Sequence, residues 1–204
     1  MNAFVLSRDD GPLARALAPL GAAVRLPAAV LPAIGAVPLF TVMAVDGVDA
    51  SNALVGLVLA WVVLTGGASR GRPHDDPLRW AVAPALRLVE YASIIWLGAI
   101  AGGSGPAAAF ALLAAVAFHH YDLFYRPRFF GAPPPSWVGD VAGGWEGRLL
   151  GTYVLLLSGA LPAGLFAAAG VLGVMFAAES ALSWSHAREA GFAPGYVDEG
   201  GGEE

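Results

Sequence analysis

The sequence has no cysteine and no lysine, and only 13% of its 204 residues are charged. Without cysteine, thiol catalysis, disulfide scaffolds and cysteine-ligated zinc sites are excluded. A water-soluble domain carries about a quarter charged residues to wet its surface, and this chain carries half that. The net charge of −5 and the lack of any basic run leave nothing to neutralise phosphates along a strand, so no nucleic acid is expected as a partner. Low polarity also excludes intrinsic disorder for most of the chain.

Apolar residues make up 57% of the chain, and its mean hydropathy is +0.64. This composition predicts an all-α, polytopic membrane helix bundle whose main partner is the lipid bilayer. The first 25 residues hold Arg8, Asp9, Asp10, Arg15 and Arg25 with no continuous apolar core, unlike a cleavable signal peptide. A bilayer core of about 30 Å needs about 20 apolar helical residues. Residues 26–45, 50–68, 81–101 and 106–125 meet that need as four spans, the first interrupted by Pro27, Pro32 and Pro38. Residues 149–178 are uncharged and too long for one crossing, and Leu161-Pro-Ala-Gly164 suggests a hairpin of two spans there.

Six spans satisfy the excess of positive charge expected on the cytoplasmic side. Arg8, Arg15 and Arg25 precede span one, and Arg70, Arg72 and Arg79 separate spans two and three. Arg126, Arg128 and Arg148 separate spans four and five, and Arg188 follows span six. Only Arg87 lies within a span. The expectation is therefore six transmembrane helices with both termini cytoplasmic, in a bacterial inner membrane. Residues 1–25 form a cytoplasmic segment, 26–186 the transmembrane domain and 187–204 a disordered acidic tail. Gly98-x-x-x-Gly102 is a close-packing motif within the bundle, and Trp80, Trp137, Trp145 and Trp184 form an interfacial belt.

Ionisable groups within spans are costly and face the bundle interior with partners. This topology brings Arg87, Glu90, His119, His120, Asp122 and Glu179 to one layer in the cytoplasmic half, with Glu146 and Arg148 at the mouth of span five. Arg87 and Glu90 are three apart and share a helical face, as do His119, Asp122 and Arg126. Glu90, Asp122 and Glu179 would supply oxygen ligands to Mg²⁺ or Mn²⁺. Arg87, Arg126 and Arg148 would grip a phosphate, with His119 or His120 as base. The opposing reading is structural: Arg87–Glu90 and Asp122–Arg126 as self-neutralising pairs and the histidines bonded across the bundle. His74, Asp75 and Asp76 read as a solvated turn, as do Asp46 and Asp49 on the other side.

Four segments carry a resemblance: Arg87-Leu-Val-Glu90, His119-His-Tyr-Asp-Leu-Phe-Tyr-Arg126, Pro133-Pro-Pro-Ser-Trp-Val-Gly139 and Gly144-Trp-Glu-Gly-Arg148. Over residues 26–184 the chain resembles an actinobacterial membrane domain of unknown function, found alongside nucleotidyltransferase-like or CDP-alcohol phosphatidyltransferase modules. The resemblance implies a place near phospholipid metabolism, with a phosphorylated lipid or CDP-alcohol head group as ligand. The phosphatidyltransferase signature, D-x2-D-G-x2-A-R-x8-G-x3-D-x3-D, is missing. Asp46-Gly-Val-Asp49 has the wrong order, and Asp76 is followed by Pro77. Those enzymes' catalytic residues therefore do not carry over. Three functions follow: a metal-dependent head-group site of transferase-like activity, a non-catalytic anchor or partner subunit of a phospholipid-synthesis enzyme, and a small transporter. A homodimer or that partner enzyme is the expected protein contact. The motifs of serine hydrolases, phosphate-binding loops and zinc proteases are absent from the sequence.

Overall fold

A computed structural model describes residues 8–24, 26–71, 76, 78–130 and 135–189. Arg25, Arg72, His74, Asp75 and the tail from 190 lie outside the described residues, as do the side chains of Arg128, His186 and Arg188. Every regular element among the described residues is helical. In chain order these are α1 (Pro12–Ala22), α2 (Val30–Val45), α3 (Asn52–Ala68), α4 (Val82–Ala101), α5 (Gly105–Phe130), α6 (Ser136–Val141), α7 (Gly144–Leu157) and α8 (Leu161–Glu189).

Four stretches are long and apolar enough to cross a membrane: Asn52–Gly71, Arg79–Ala101, Gly105–Arg126 and Leu161–Ser185. Where the sequence reads six spans, the structure has four long apolar helices and two shorter ones. α2 and α7 have 16 and 14 residues, about 24 and 21 Å at 1.5 Å per residue, below a core of about 30 Å. The hairpin between α7 and α8 is present, but it turns before Leu161. Gly159 takes a left-handed φ of 71°, and Pro162 stands in the first turn of α8, where it disrupts nothing.

Local sequence explains the other junctions. Ser51 starts α3 by accepting a hydrogen bond from the Leu54 amide at 3.3 Å. Gly102 and Gly103, at φ 64° and 51°, reverse the chain between α4 and α5. Pro38 lies inside α2 and has no N–H to give the carbonyl of Ile34. The indole Nε1 of Trp61 on α3 donates to that carbonyl at 3.2 Å, re-satisfying it from a neighbouring helix.

Small residues set the helix spacing. A Cβ on Gly98 would stand 2.8 Å from the Gly105 carbonyl oxygen, and one on Gly105 would stand 2.2 Å from that of Gly98. The close contact is thus Gly98 against Gly105 across the α4–α5 hairpin, while Gly102 serves the turn. The main core runs from Leu39 through Val55, Leu59 and Val62 to Ile94, Leu97, Leu112 and Val116, and ends on Trp145 and Leu149. α8 packs along α5 but is mostly uncovered, with only 17% of its apolar stretch buried. Val171, Val174 and Leu182 form its outer flank.

The N-terminal segment is the largest departure from expectation. Residues 8–11 enter the bundle, and α1 packs against α3. A Cβ on Gly21 would meet the Ala68 carbonyl oxygen at 1.7 Å, and one on Gly71 would meet that of Ala18 at 1.9 Å. The segment belongs to the folded domain.

Candidate functional site

The polar groups gather at the end of the bundle where residues 8–11 enter, in three connected sets. The first surrounds Arg148, near the start of α7. Its Nε donates to Glu90 Oε1 of α4 at 2.6 Å, and its Nη1 lies 2.7 Å from Asp9 Oδ2. Asp9 also faces both histidines of α5: His119 Nε2 is 3.4 Å from Oδ1, and His120 Nε2 is 3.5 Å from Oδ2. His120 completes its bonding through Nδ1, 2.9 Å from the Tyr91 hydroxyl. His119 stacks on Phe176 of α8 with ring centres 4.1 Å apart. Glu90 is fully buried, and Asp9, Arg148 and both histidines are buried. Desolvation pushes the Asp9 carboxyl upward, but Arg148 and the two histidines outweigh it and hold it well below the usual carboxylate range.

The second set joins α5 to α8. Arg126 grips Glu179 with two hydrogen bonds of 2.8 Å and also holds Asp122, one turn back on its own helix, at 2.5 Å. Ser183 donates to Glu179 at 2.7 Å, and Ser180 donates to Asp122 at 3.4 Å. The third set fixes the N-terminal segment. Asp10 accepts from Arg8 Nε at 2.7 Å, Arg70 Nη1 at 2.7 Å and Trp145 Nε1 at 3.1 Å. Burial opposes ionisation of Asp10, and Arg8, with Arg70 and Trp145, reverses that and lowers its pKa. Glu146 caps α1, accepting from the Gly11 amide at 3.2 Å and the Ala14 amide at 2.9 Å.

Two glycines allow this approach. A Cβ on Gly11 would stand 2.1 Å from the Gly143 carbonyl oxygen, and one on Gly144 would stand 2.1 Å from the Gly11 nitrogen. Gly144 also needs its positive φ of 64°. The Trp145 amide then donates to the Asp9 carbonyl at 2.9 Å.

The residues singled out from the sequence are thus brought to one end of the bundle but divided between two arginines. Glu90, His119 and His120 gather about Arg148 and Asp9, whereas Asp122 and Glu179 gather about Arg126. Glu90 takes a bond from Arg148, and Arg87, one turn before it on α4, is half-buried and lines a small cleft with Arg8, Asp9, Glu90, His120 and Trp145. Asp122 does pair with Arg126 along one helix. Of the three carboxylates proposed as metal ligands, Asp122 and Glu179 share the Arg126 guanidinium, whereas Glu90 shares that of Arg148 with Asp9. No group of three or more acidic, histidine or cysteine side chains is placed to hold a metal ion among the described residues.

Trp145 is buried, unlike the exposed Trp80, Trp137 and Trp184, and leaves the interfacial belt. Asp76 is a turn former, accepting from the amides of Leu78, at 2.9 Å, and Ala28. Sequence reasoning missed Asp9, Asp10 and Tyr91. The available signal was Gly11 matched by the Gly143–Gly144 pair, residues suited to close backbone contact.

A family of unknown function, DUF5941, matches residues 2–204. The chain belongs to that family. The match begins before Asp9 and so includes the inserted segment. No curated protein and no solved structure matches the chain.

Proposed function

We propose that this chain is a non-catalytic membrane domain whose buried polar layer locks helix register and seats the N-terminal segment. It would serve as an anchor or partner subunit. The observation that carries this reading is that Arg148 and Arg126 are each already shared by two carboxylates. A phosphate-binding arginine needs donors facing an open site, and these guanidiniums face fixed anions within the fold. The sequence resemblance supports a phospholipid-synthesis enzyme as the partner class, and the distribution of arginines supports a bacterial inner membrane with both termini cytoplasmic.

A second reading rests on charge. Asp122 and Glu179 exceed Arg126 by one negative charge, which Mg²⁺ or Mn²⁺ bound with a phosphorylated head group would offset. One experiment separates the two: thermal unfolding of the purified chain in detergent, with and without each metal, beside Asp122→Asn. The locking reading expects no metal-dependent shift and a lower melting temperature for the variant. A metal-dependent rise that Asp122→Asn abolishes would overturn it in favour of the second.

A further inference from the structure

Asp9 occupies its surroundings as a ligand occupies a receptor. Its carboxylate arrives on a non-helical segment, from outside the helices that hold it. It is faced from two helices: His119 on α5 lies within hydrogen-bond distance of Oδ1, and Arg148 on α7 and His120 on α5 lie at ion-pair distance from Oδ2. All three donors are themselves buried, with Arg148 6%, His119 3% and His120 4% exposed. Tyr91 fixes the orientation of His120 through Nδ1, and Phe176 fixes that of His119 by stacking. These rings are therefore held in place without Asp9. Arg148 Nη1 and Nη2 and Asp9 Oδ2 are buried and make no hydrogen bond, so the receptor has donor capacity that Asp9 does not use.

We infer that Arg148, His119 and His120 form an oxyanion-binding site that the chain's own Asp9 fills, and that withdrawal of residues 8–10 opens it to a monoanionic oxyanion, a carboxylate or a phosphodiester. The single charge follows from the neighbours. Glu90 already takes one bond from Arg148, so a dianion would face a second buried carboxylate, whereas a monoanion reproduces the charge of Asp9. The cleft beside the site, lined by Arg8, Asp9, Arg87, Glu90, His120 and Trp145, has room for little more than a water molecule. An incoming ligand therefore needs the space of the Asp9 side chain itself. This inference rests on the locking reading, because it takes Asp9 as the group that closes the lock.

The test is chemical replacement in the full chain. Asp9→Ala removes a carboxylate the size of formate. Its melting temperature is expected to fall by about 6 °C or more, and to recover by about 5 °C in saturating formate at fixed ionic strength. Dimethyl phosphate in a parallel arm shows whether a phosphodiester is accepted as well; recovery with either anion supports the site. Neutral formamide and extra chloride should give no recovery. Asp9→Asn keeps the space filled and should be destabilised without responding to formate. If Asp9→Ala does not accumulate, Asp9→Ser, which leaves room and keeps a hydroxyl toward the histidines, carries the same comparison.

Two failures are distinguishable. An Asp9→Ala chain as stable as the parent overturns the lock itself. A destabilised chain that neither anion rescues, or one that formate raises no more than the parent, leaves the lock standing and overturns the binding site.

Discussion

The two arginine-centred sets differ in how the chain assembles them. Arg126 reaches Asp122 on its own helix and Glu179 on the helix that packs along it, so α5 and α8 alone complete that set. Arg148 draws on α4, α5 and the N-terminal segment, and its acidic partners lie 58 and 139 positions away in sequence. Burial sets Glu90 apart: it is fully buried, whereas Asp9, Asp122 and Glu179 retain 8%, 8% and 9% exposure. The first arrangement joins two neighbours; the second ties four parts of the chain at one point. The same chemistry of two carboxylates per guanidinium thus staples two packed helices in one place and closes the fold in the other.

The comparison breaks most visibly at Arg148. Arg148→Leu leaves Glu90 and Asp9 buried without their cation, and should cost about 3–5 kcal/mol. Denaturant unfolding in mixed micelles would register it, and a loss under 1 kcal/mol would contradict the central place given to this set. Acid should act on the same point. The folded Asp9 pKa is depressed, so its contribution is fully present above the ordinary carboxylate value, about pH 4, and is lost as pH falls through the folded value. The melting-temperature gap between the parent and Asp9→Asn should stay constant from pH 7 to about pH 4 and close below it.

Arg126→Leu should cost less, about 1–3 kcal/mol, because it strands no carboxylate as fully buried as Glu90, and Asp122 and Glu179 can take protons or water. An effect equal to that of Arg148→Leu would erase the distinction between the sets. Trp145→Phe removes only the indole hydrogen bond to Asp10 and keeps most of the packing. A loss of about 1–2 kcal/mol is expected in the same assay, with release of the N-terminal segment seen as faster amide exchange in α1.

The sequence carried the local features and missed the long-range ones. Arg126, Asp122 and Glu179 were legible because helical period and depth along a span determine them. The same reasoning groups Glu90, His119 and His120, which the fold brings to one end of the bundle, but it does not find the bond from Arg148 to Glu90. Spacing favours Arg87 three residues away, while tertiary packing brings Arg148 within 2.6 Å. Nothing in the sequence marks residues 8–10 as entering the bundle, since no periodicity signals a short non-helical insertion. Trp145 was misplaced for the same reason: its position at a span boundary suits an interface, yet the inserted segment covers it. The four long helices followed from hydropathy. The shortness of α2 and α7 did not, because uncharged flanks lengthen an apolar run without lengthening its helix.

The most direct test of the lock is a double-mutant cycle on Arg148 and Glu90, read as unfolding free energy in detergent. Arg148→Met and Glu90→Leu should each destabilise strongly, since each strands a buried charge. The double variant should recover at least about 2 kcal/mol relative to the sum of the single losses. Strictly additive losses would mean that the two groups do not act as a pair, and the account of a polar layer that locks the bundle would fail.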